Sequence, residues 1–122
     1  GVREIMKKFQ KKIIQKNKRI CVEGRDIAST ILKKNPRYDI AFYFTCNLNL
    51  ASIRRWKDLG KKVPLKEVQK SLRIRTRLDK KRKHSPLKKM RDAILIRTDK
   101  LNKKKVLLKM SQEIEKINYK IL

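Results

Sequence analysis

Glycine is scarce in this chain: among 122 residues there are three, Gly1, Gly24 and Gly60. That scarcity excludes a phosphate cradle of the form G-x-x-x-x-G-K-[ST], which needs closely spaced glycines and appears nowhere in the sequence. Histidine occurs once and cysteine twice, and Cys21 and Cys46 lie inside apolar runs without C-x-x-C spacing. Those counts argue against a zinc site or a disulfide, so both thiols are expected to be buried and reduced. Long apolar runs are absent too. The longest, Ile40 to Phe44, falls far short of the roughly 20 residues a spanning helix needs. With no secretory pattern at its start, the chain is expected in the cytosol.

Acidic residues are also few, at 11 against 37 Lys and Arg, for a net charge of +26. Such a charge points either to an anionic partner or to a lysine-rich composition spread over every segment. An RNA-binding protein of ribosomal type is the alternative that charge alone favours. Aromatic residues speak against it. They are 6% of the chain, and Tyr38, Phe42, Tyr43 and Phe44 sit in its most apolar stretch. There they read as core and not as a platform for stacked bases.

Periodicity then organises the chain. Val2, Ile5, Met6, Phe9, Ile13 and Ile14 recur at helical spacing, so an amphipathic helix is expected over 2–16, ending at Asn17-Lys18. It begins with no capping residue and no Met, which reads as the interior of a longer protein, with Gly1 a cloning remnant. Arg19 to Glu23 is short, β-rich and mostly apolar, as a buried strand would be, and Gly24-Arg25-Asp26 turns out of it. After an irregular stretch to Pro36, Tyr38 to Thr45 reads as a strand covered on both faces. Asn47 or Asn49 can cap a helix that runs to Leu59 and stops at Gly60. Pro64 opens a long helix to about Arg82, which His84-Ser85-Pro86 ends. Ala93 to Arg97 is the third expected strand. Asn102 can cap a last helix with Leu107, Met110, Ile114, Ile117 and Ile121 on one face. Strands alternating with helices predict an α/β fold with a parallel sheet of about three strands flanked by helices.

Two places carry chemistry. On the long helix, Leu65, Val68, Leu72, Arg75, Asp79 and Arg82 follow spacings of 3, 4, 3, 4 and 3, which puts them on one stripe. The stripe is apolar at first and then Arg, Asp, Arg. That order suits a helix leaving the core to overhang a wet cleft, where guanidinium groups bind phosphate or ring acceptors and a carboxylate accepts from hydroxyls. A solvated helix end with ion pairs Arg75–Asp79 and Asp79–Arg82 is the alternative. The second place is Glu23-Gly24-Arg25-Asp26 at a strand's carboxyl end, where open parallel sheets bind ligands. A plain turn with a surface ion pair fits the same residues.

Taken together, the motifs resemble the cytidylate kinases, in particular the C-terminal half of that family. The family carries E-G-R-D after a strand, and downstream on its lid R-D-x-x-D-x-x-R closing with P-L. Here the matching run is Arg75-Thr76-Arg77-Leu78-Asp79-Lys80-Lys81-Arg82, followed by Pro86-Leu87. Val2-Arg3-Glu4 with Gln10, the strand Tyr38 to Thr45 followed by Arg54-Arg55, and Asp92-Ala93-Ile94-Leu95-Ile96 fall in the family's order. The resemblance implies a partial P-loop nucleoside-monophosphate-kinase fold as a single domain over 1–122. Its core would span 1–62 and 86–122, with a helical lid at about 63–85.

The resemblance also implies the activity: transfer of a phosphoryl group from ATP, with Mg²⁺, to CMP or dCMP, giving the diphosphate. It places Arg3, Asp26 and Arg82 on the cytosine edge, Arg75 and Asp79 on the ribose hydroxyls, and Arg25 on the α-phosphate. Arg55 is a weak candidate for the phosphates of ATP. A carboxylate suits cytosine's amino group and leaves a wrong base unpaired at about 1–3 kcal/mol. The chain departs from the family at Thr76 (Asp), Ala28-Ser29 (Gly-Thr) and Ala51 (Arg). Because no phosphate cradle is present, this half is expected to be inactive alone. A remnant with a structural or regulatory role fits the same residues.

Overall fold

The computed structural model of the chain describes residues 1–34, 37–81 and 89–121. It forms two compact units. One is Gly1–Ala41 with Thr76–Asp92, the other Phe42–Arg75 with Ala93–Leu122. Among the described residues no helix is long and apolar enough to cross a membrane.

In the first unit, helix α1 spans Val2–Lys16. Asn17 ends it: its backbone N–H donates to Ile14 O at 3.2 Å and its side chain to Ile13 O at 2.7 Å. Ile14 is the helix's buried residue, and it meets Ile31 and Leu32 in a small core packed with Val22, Ile27 and Tyr38. Ile31 and Leu32 reach that core from a π-helical turn over Ile27–Ile31 and the residue that follows it. Asp26 O opens the turn, accepting from Thr30 N at 3.0 Å and from the Ser29 hydroxyl at 3.2 Å. Gly24 is required here by close approach. A Cβ at that position would lie 2.6 Å from Ile27 Cγ1 and 2.9 Å from Cδ1.

The expected strand at Arg19–Glu23 is absent; the segment is irregular. A strand exists only with a backbone partner. Here the segment's apolar content serves packing instead: Val22 faces the Ile14 core while Ile20 and Cys21 are exposed. The expectation of a buried Cys21 fails for the same reason. Cys46 is half-buried, and both thiols are free.

In the second unit, strands β1 (Phe42–Thr45) and β2 (Ile94–Arg97) pair in parallel, with Phe42 opposite Ile94 and Thr45 opposite Arg97. The described sheet therefore has two strands, not three. β1 begins at Phe42; Tyr38 belongs to the first unit's core. Ile96 is fully buried at the sheet's centre. Helix α2 (Leu48–Asp58) starts at Asn47, whose Oδ1 accepts from Asn49 N at 2.9 Å and Leu50 N at 3.4 Å. It ends in a paired closure, Gly60 N to Lys57 O and Lys61 N to Trp56 O, both 3.0 Å. Gly60 takes a φ of +70° there, the left-handed conformation that favours glycine at this position.

Helix α3 (Leu65–Lys81) starts on Pro64, whose carbonyl accepts from Glu67 N at 3.0 Å and Val68 N at 3.2 Å. The expected stop at His84-Ser85-Pro86 lies outside the described residues. Helix α4 (Lys103–Ile121) is capped by Asn102, whose Oδ1 accepts from Lys105 N at 2.8 Å. Of its expected apolar face, Met110 and Ile117 are half-buried, whereas Leu107 and Ile114 are exposed.

Candidate functional site

One charged contact in the first unit joins two residues 54 positions apart in the chain. Arg25 Nη1 lies 2.8 Å from Asp79 Oδ1 and 2.7 Å from Oδ2. Local structure explains the meeting. Gly24 lets Ile27 lie against the backbone, and the chain bends at Arg25 and Asp26, with Arg25 exposed. Asp79 comes from the last turn and a half of α3, on the line of Leu65, Val68 and Leu72. Val68 is buried and Leu65 and Leu72 are half-buried in the second unit, and Asp79 is buried in the first.

Burial of the two partners is unequal. The Asp79 side chain is 9% exposed and that of Arg25 47%. A carboxylate taken this far out of water needs charged or hydrogen-bonding partners, and Arg25 is one of them. Arg25 spends only Nη1 on it. Its Nε and Nη2 donors make no other hydrogen bond among the described residues. A planar guanidinium with one corner fixed by a carboxylate and two further donors open to solvent is suited to an anion with several oxygens, such as a phosphate.

The remaining expected site residues are not drawn into this contact. Arg3 is exposed on α1, Arg55 on α2 and Arg75 on α3. Asp26 is half-buried at the start of the π turn, where its carbonyl, not its carboxylate, is engaged. The side chains of Arg3, Asp26, Arg55 and Arg75 make no hydrogen bond or ion pair among the described residues. Arg82 and Pro86-Leu87 lie outside the described residues. The expected Arg75–Asp79 ion pair is not formed; Asp79 pairs across the unit with Arg25 instead. Among the described residues no three His, Cys, Asp or Glu side chains cluster as a metal would require.

Sequence reading missed a second polar cluster. The Tyr38 hydroxyl donates to Asp92, and Arg37 Nη2 lies 2.6 Å from Asp92 Oδ2. The Arg37 guanidinium also sits 4.9 Å from the centre of the Tyr38 ring, within cation–π range. The hydrogen bond from Tyr38, then the bond and charge of Arg37, hold the Asp92 carboxyl below its ordinary value. Burial, then the bond to Asp92, push the Tyr38 phenol up. Asp92 stood in a recognised motif, but nothing in the sequence marked Arg37 or Tyr38 as its partners.

A third motif missed by the sequence reading joins the ends of the strands in the second unit. Arg54 Nη2 donates to Thr98 O at 2.8 Å and Nη1 to Thr98 Oγ1 at 3.1 Å, while Thr98 Oγ1 donates to Thr45 O at 3.1 Å. Asn47 N donates to Asp99 Oδ2 at 3.1 Å. The carboxyl ends of β1 and β2 are thereby locked to the start of α2. Arg54 is committed to that structure and its neighbour Arg55 is not.

The sequence model of the family described as Cytidylate kinase matches residues 1–116. Among curated relatives, the cytidylate kinase of Rickettsia akari (strain Hartford) is 32% identical over 117 residues, covering 93% of this chain and 52% of that protein. The cytidylate kinase of Thermosipho melanesiensis is 36% identical over 109 residues, covering 87% of this chain and 48% of its own length. That of Caldanaerobacter subterraneus subsp. tengcongensis is 36% identical over 118 residues, covering 94% and 51%. The chain spans about half the length of the curated relatives it matches.

Proposed function

Because this chain belongs to the cytidylate kinase family, we propose that it carries the nucleoside-monophosphate-binding and lid parts of a kinase that converts CMP or dCMP, with ATP, to the diphosphate. The observation that carries the reading is the Arg25–Asp79 pair. Two residues singled out for one substrate, from segments 54 positions apart, meet in one unit with donors of Arg25 still open.

In this reading Arg25 offers its open edge to the α-phosphate of CMP. Asp79, with Arg75, takes the ribose hydroxyls, and Arg3, Asp26 and Arg82 take the cytosine edge. Arg55 is assigned, more weakly, to the phosphates of ATP. The step is attack of an α-phosphate oxygen of CMP on the γ-phosphorus of ATP, with ADP leaving. Such transfers depend on positioning and on neutralising charge over the phosphate oxygens, which arginines supply. The seat for ATP is not among these residues, so the chain by itself is expected to bind CMP and not to phosphorylate it. Action in the cytoplasm belongs to the same proposal. The matched relatives named above are kinases, and the RNA-binding alternative draws nothing from them.

Calorimetric titration of the purified chain checks this. Asp79→Ala is expected to weaken CMP binding about tenfold or more, the scale of a lost charge-assisted hydrogen bond. CMP affinity unchanged in that variant would remove Asp79 from the monophosphate site.

A further inference from the structure

Thr76 supplies the sole hydroxyl side chain of residues 76–81, the part of α3 that belongs to the first unit. That hydroxyl is exposed and makes no hydrogen bond among the described residues. Nothing in the reaction proposed above uses it. Around it the sequence reads Arg73-Ile74-Arg75-Thr76-Arg77, with all three arginines exposed. An accessible hydroxyl preceded by arginines suits a protein kinase whose acidic groove reads those cations.

Position adds a second reason. Residues three apart on a helix are neighbours, with Cβ atoms about 5–6 Å apart, so Thr76 neighbours Asp79. Asp79 is held by Nη1 of Arg25, whose Nε and Nη2 stay open. A phosphate on Thr76 would carry its oxygens three bonds beyond Cβ with a charge of about −1.5 to −2, within reach of that open edge. The Asp of the cytidylate kinase pattern at this place is one bond shorter and carries a single charge. We propose that Thr76 is a phosphorylation site and that its phosphate closes the open edge of Arg25, shutting out the phosphate of an incoming nucleoside monophosphate. A separate, arginine-directed Ser/Thr protein kinase transfers the γ-phosphoryl group of Mg-ATP. The bond from Thr76 Oγ1 to the γ-phosphorus forms, the bond from that phosphorus to the ADP oxygen breaks, and the hydroxyl proton passes to the kinase's catalytic base. The new phosphate repels the Asp79 carboxylate, which Arg25 offsets by pairing with both. Lys80, at i+4 from Thr76 and exposed, is the competing partner; it offers a point charge where Arg25 offers a planar fork. The blocking of CMP rests on the functional reading above, whereas the modification and its pairing with Arg25 stand apart from it.

The test treats the purified full chain with the catalytic subunit of the cyclic-AMP-dependent protein kinase and Mg-ATP, then maps the product by mass spectrometry. Phosphate should enter at Thr76, and Thr76→Ala should lose that phosphate. Phosphorus-31 NMR reads the pairing. The phosphothreonine should titrate below its ordinary value of about 6, because Arg25 favours the dianion. Arg25→Ala should return it towards that value, Arg25→Lys should fall between, and Lys80→Ala should leave it lowered. CMP affinity, by calorimetry, should drop about tenfold or more on phosphorylation and stay within about twofold in unmodified Thr76→Ala. Absence of phosphate at Thr76 overturns the proposal, as does a titration unmoved by Arg25→Ala or moved only by Lys80→Ala. CMP bound equally by the two forms overturns the blocking role. A parent chain that binds no CMP removes the functional reading instead, and the phosphorus signal still decides the site and its pairing.

Discussion

Arg25 meets both oxygens of Asp79 through a single nitrogen, and that geometry sets what replacing either residue does. Asp79 is nearly buried while Arg25 is half exposed, so the pair lies between a surface ion pair and a core one. Breaking a fully buried pair costs about 3–5 kcal/mol and an exposed one about 0–1. Asp79→Ala should therefore lower unfolding free energy by about 1–3 kcal/mol in urea titration, because the orphaned guanidinium can turn to water. Asp79→Asn, which keeps an acceptor, should cost less. Gly24→Ala acts on the same site through packing. The added methyl would stand 2.6 Å from Ile27 Cγ1, so Ile27 must move, at about 1–3 kcal/mol. Crystallography or NMR of that variant should show Arg25 displaced from Asp79.

Asp92 gives a prediction of pH dependence at the same scale. Its folded-state carboxyl titrates below the ordinary 3.8, so the stability it contributes is present above that value and lost as pH falls through the depressed one. Tyr38 is the opposite case. Its phenol is raised above 10.0, so its contribution is present below pH 10 and lost in stronger alkali. The urea midpoint should therefore fall in acid below about pH 4. In Asp92→Asn that acid slope should be shallower, and in Tyr38→Phe the alkaline loss should be reduced.

Elements were legible in the sequence where a cap or a stop defined them. Asn47, Gly60, Pro64 and Asn102 marked helix ends, and each does so by a visible hydrogen bond or backbone angle. Asn47 has a second task, its N–H binding Asp99 beside the end of β2. Asn47→Ala should cost about 1 kcal/mol in thermal or urea unfolding, as for other lost N-caps. The N–H to Asp99 bond survives that change, so the loss should not approach 2 kcal/mol. Arg19–Glu23 shows where legibility stops. Its residues are strand-like, but strand formation depends on a partner's backbone, and Val22 found a hydrophobic core first. The start of β1 moved for a similar reason, because Tyr38 is taken up by Ile14, Leu32 and Asp92.

For the whole molecule, the alternation of helices and strands was enough to give an α/β fold with a parallel sheet, and the register of β1 on β2 agrees. The Arg25–Asp79 contact of the candidate site was not legible in the sequence. Arg25 and Asp79 were each singled out by motif, yet only the fold could bring positions 54 apart to 2.7 Å. Arg37 was invisible because a lone arginine in a chain with 37 cations carries no signal of its own. The same abundance of lysine made the charge a poor guide to function, while an ordered set of short motifs along the chain led to the family.

The central claim is that this chain holds a cytidine monophosphate, and one titration tests it most directly: CMP and UMP, side by side, into the purified chain and into Arg25→Ala. The expected result is binding of CMP, weaker binding of UMP by about tenfold, and loss of most CMP affinity in the variant. CMP and UMP bound equally, with Arg25→Ala indistinguishable from the parent chain, would contradict it.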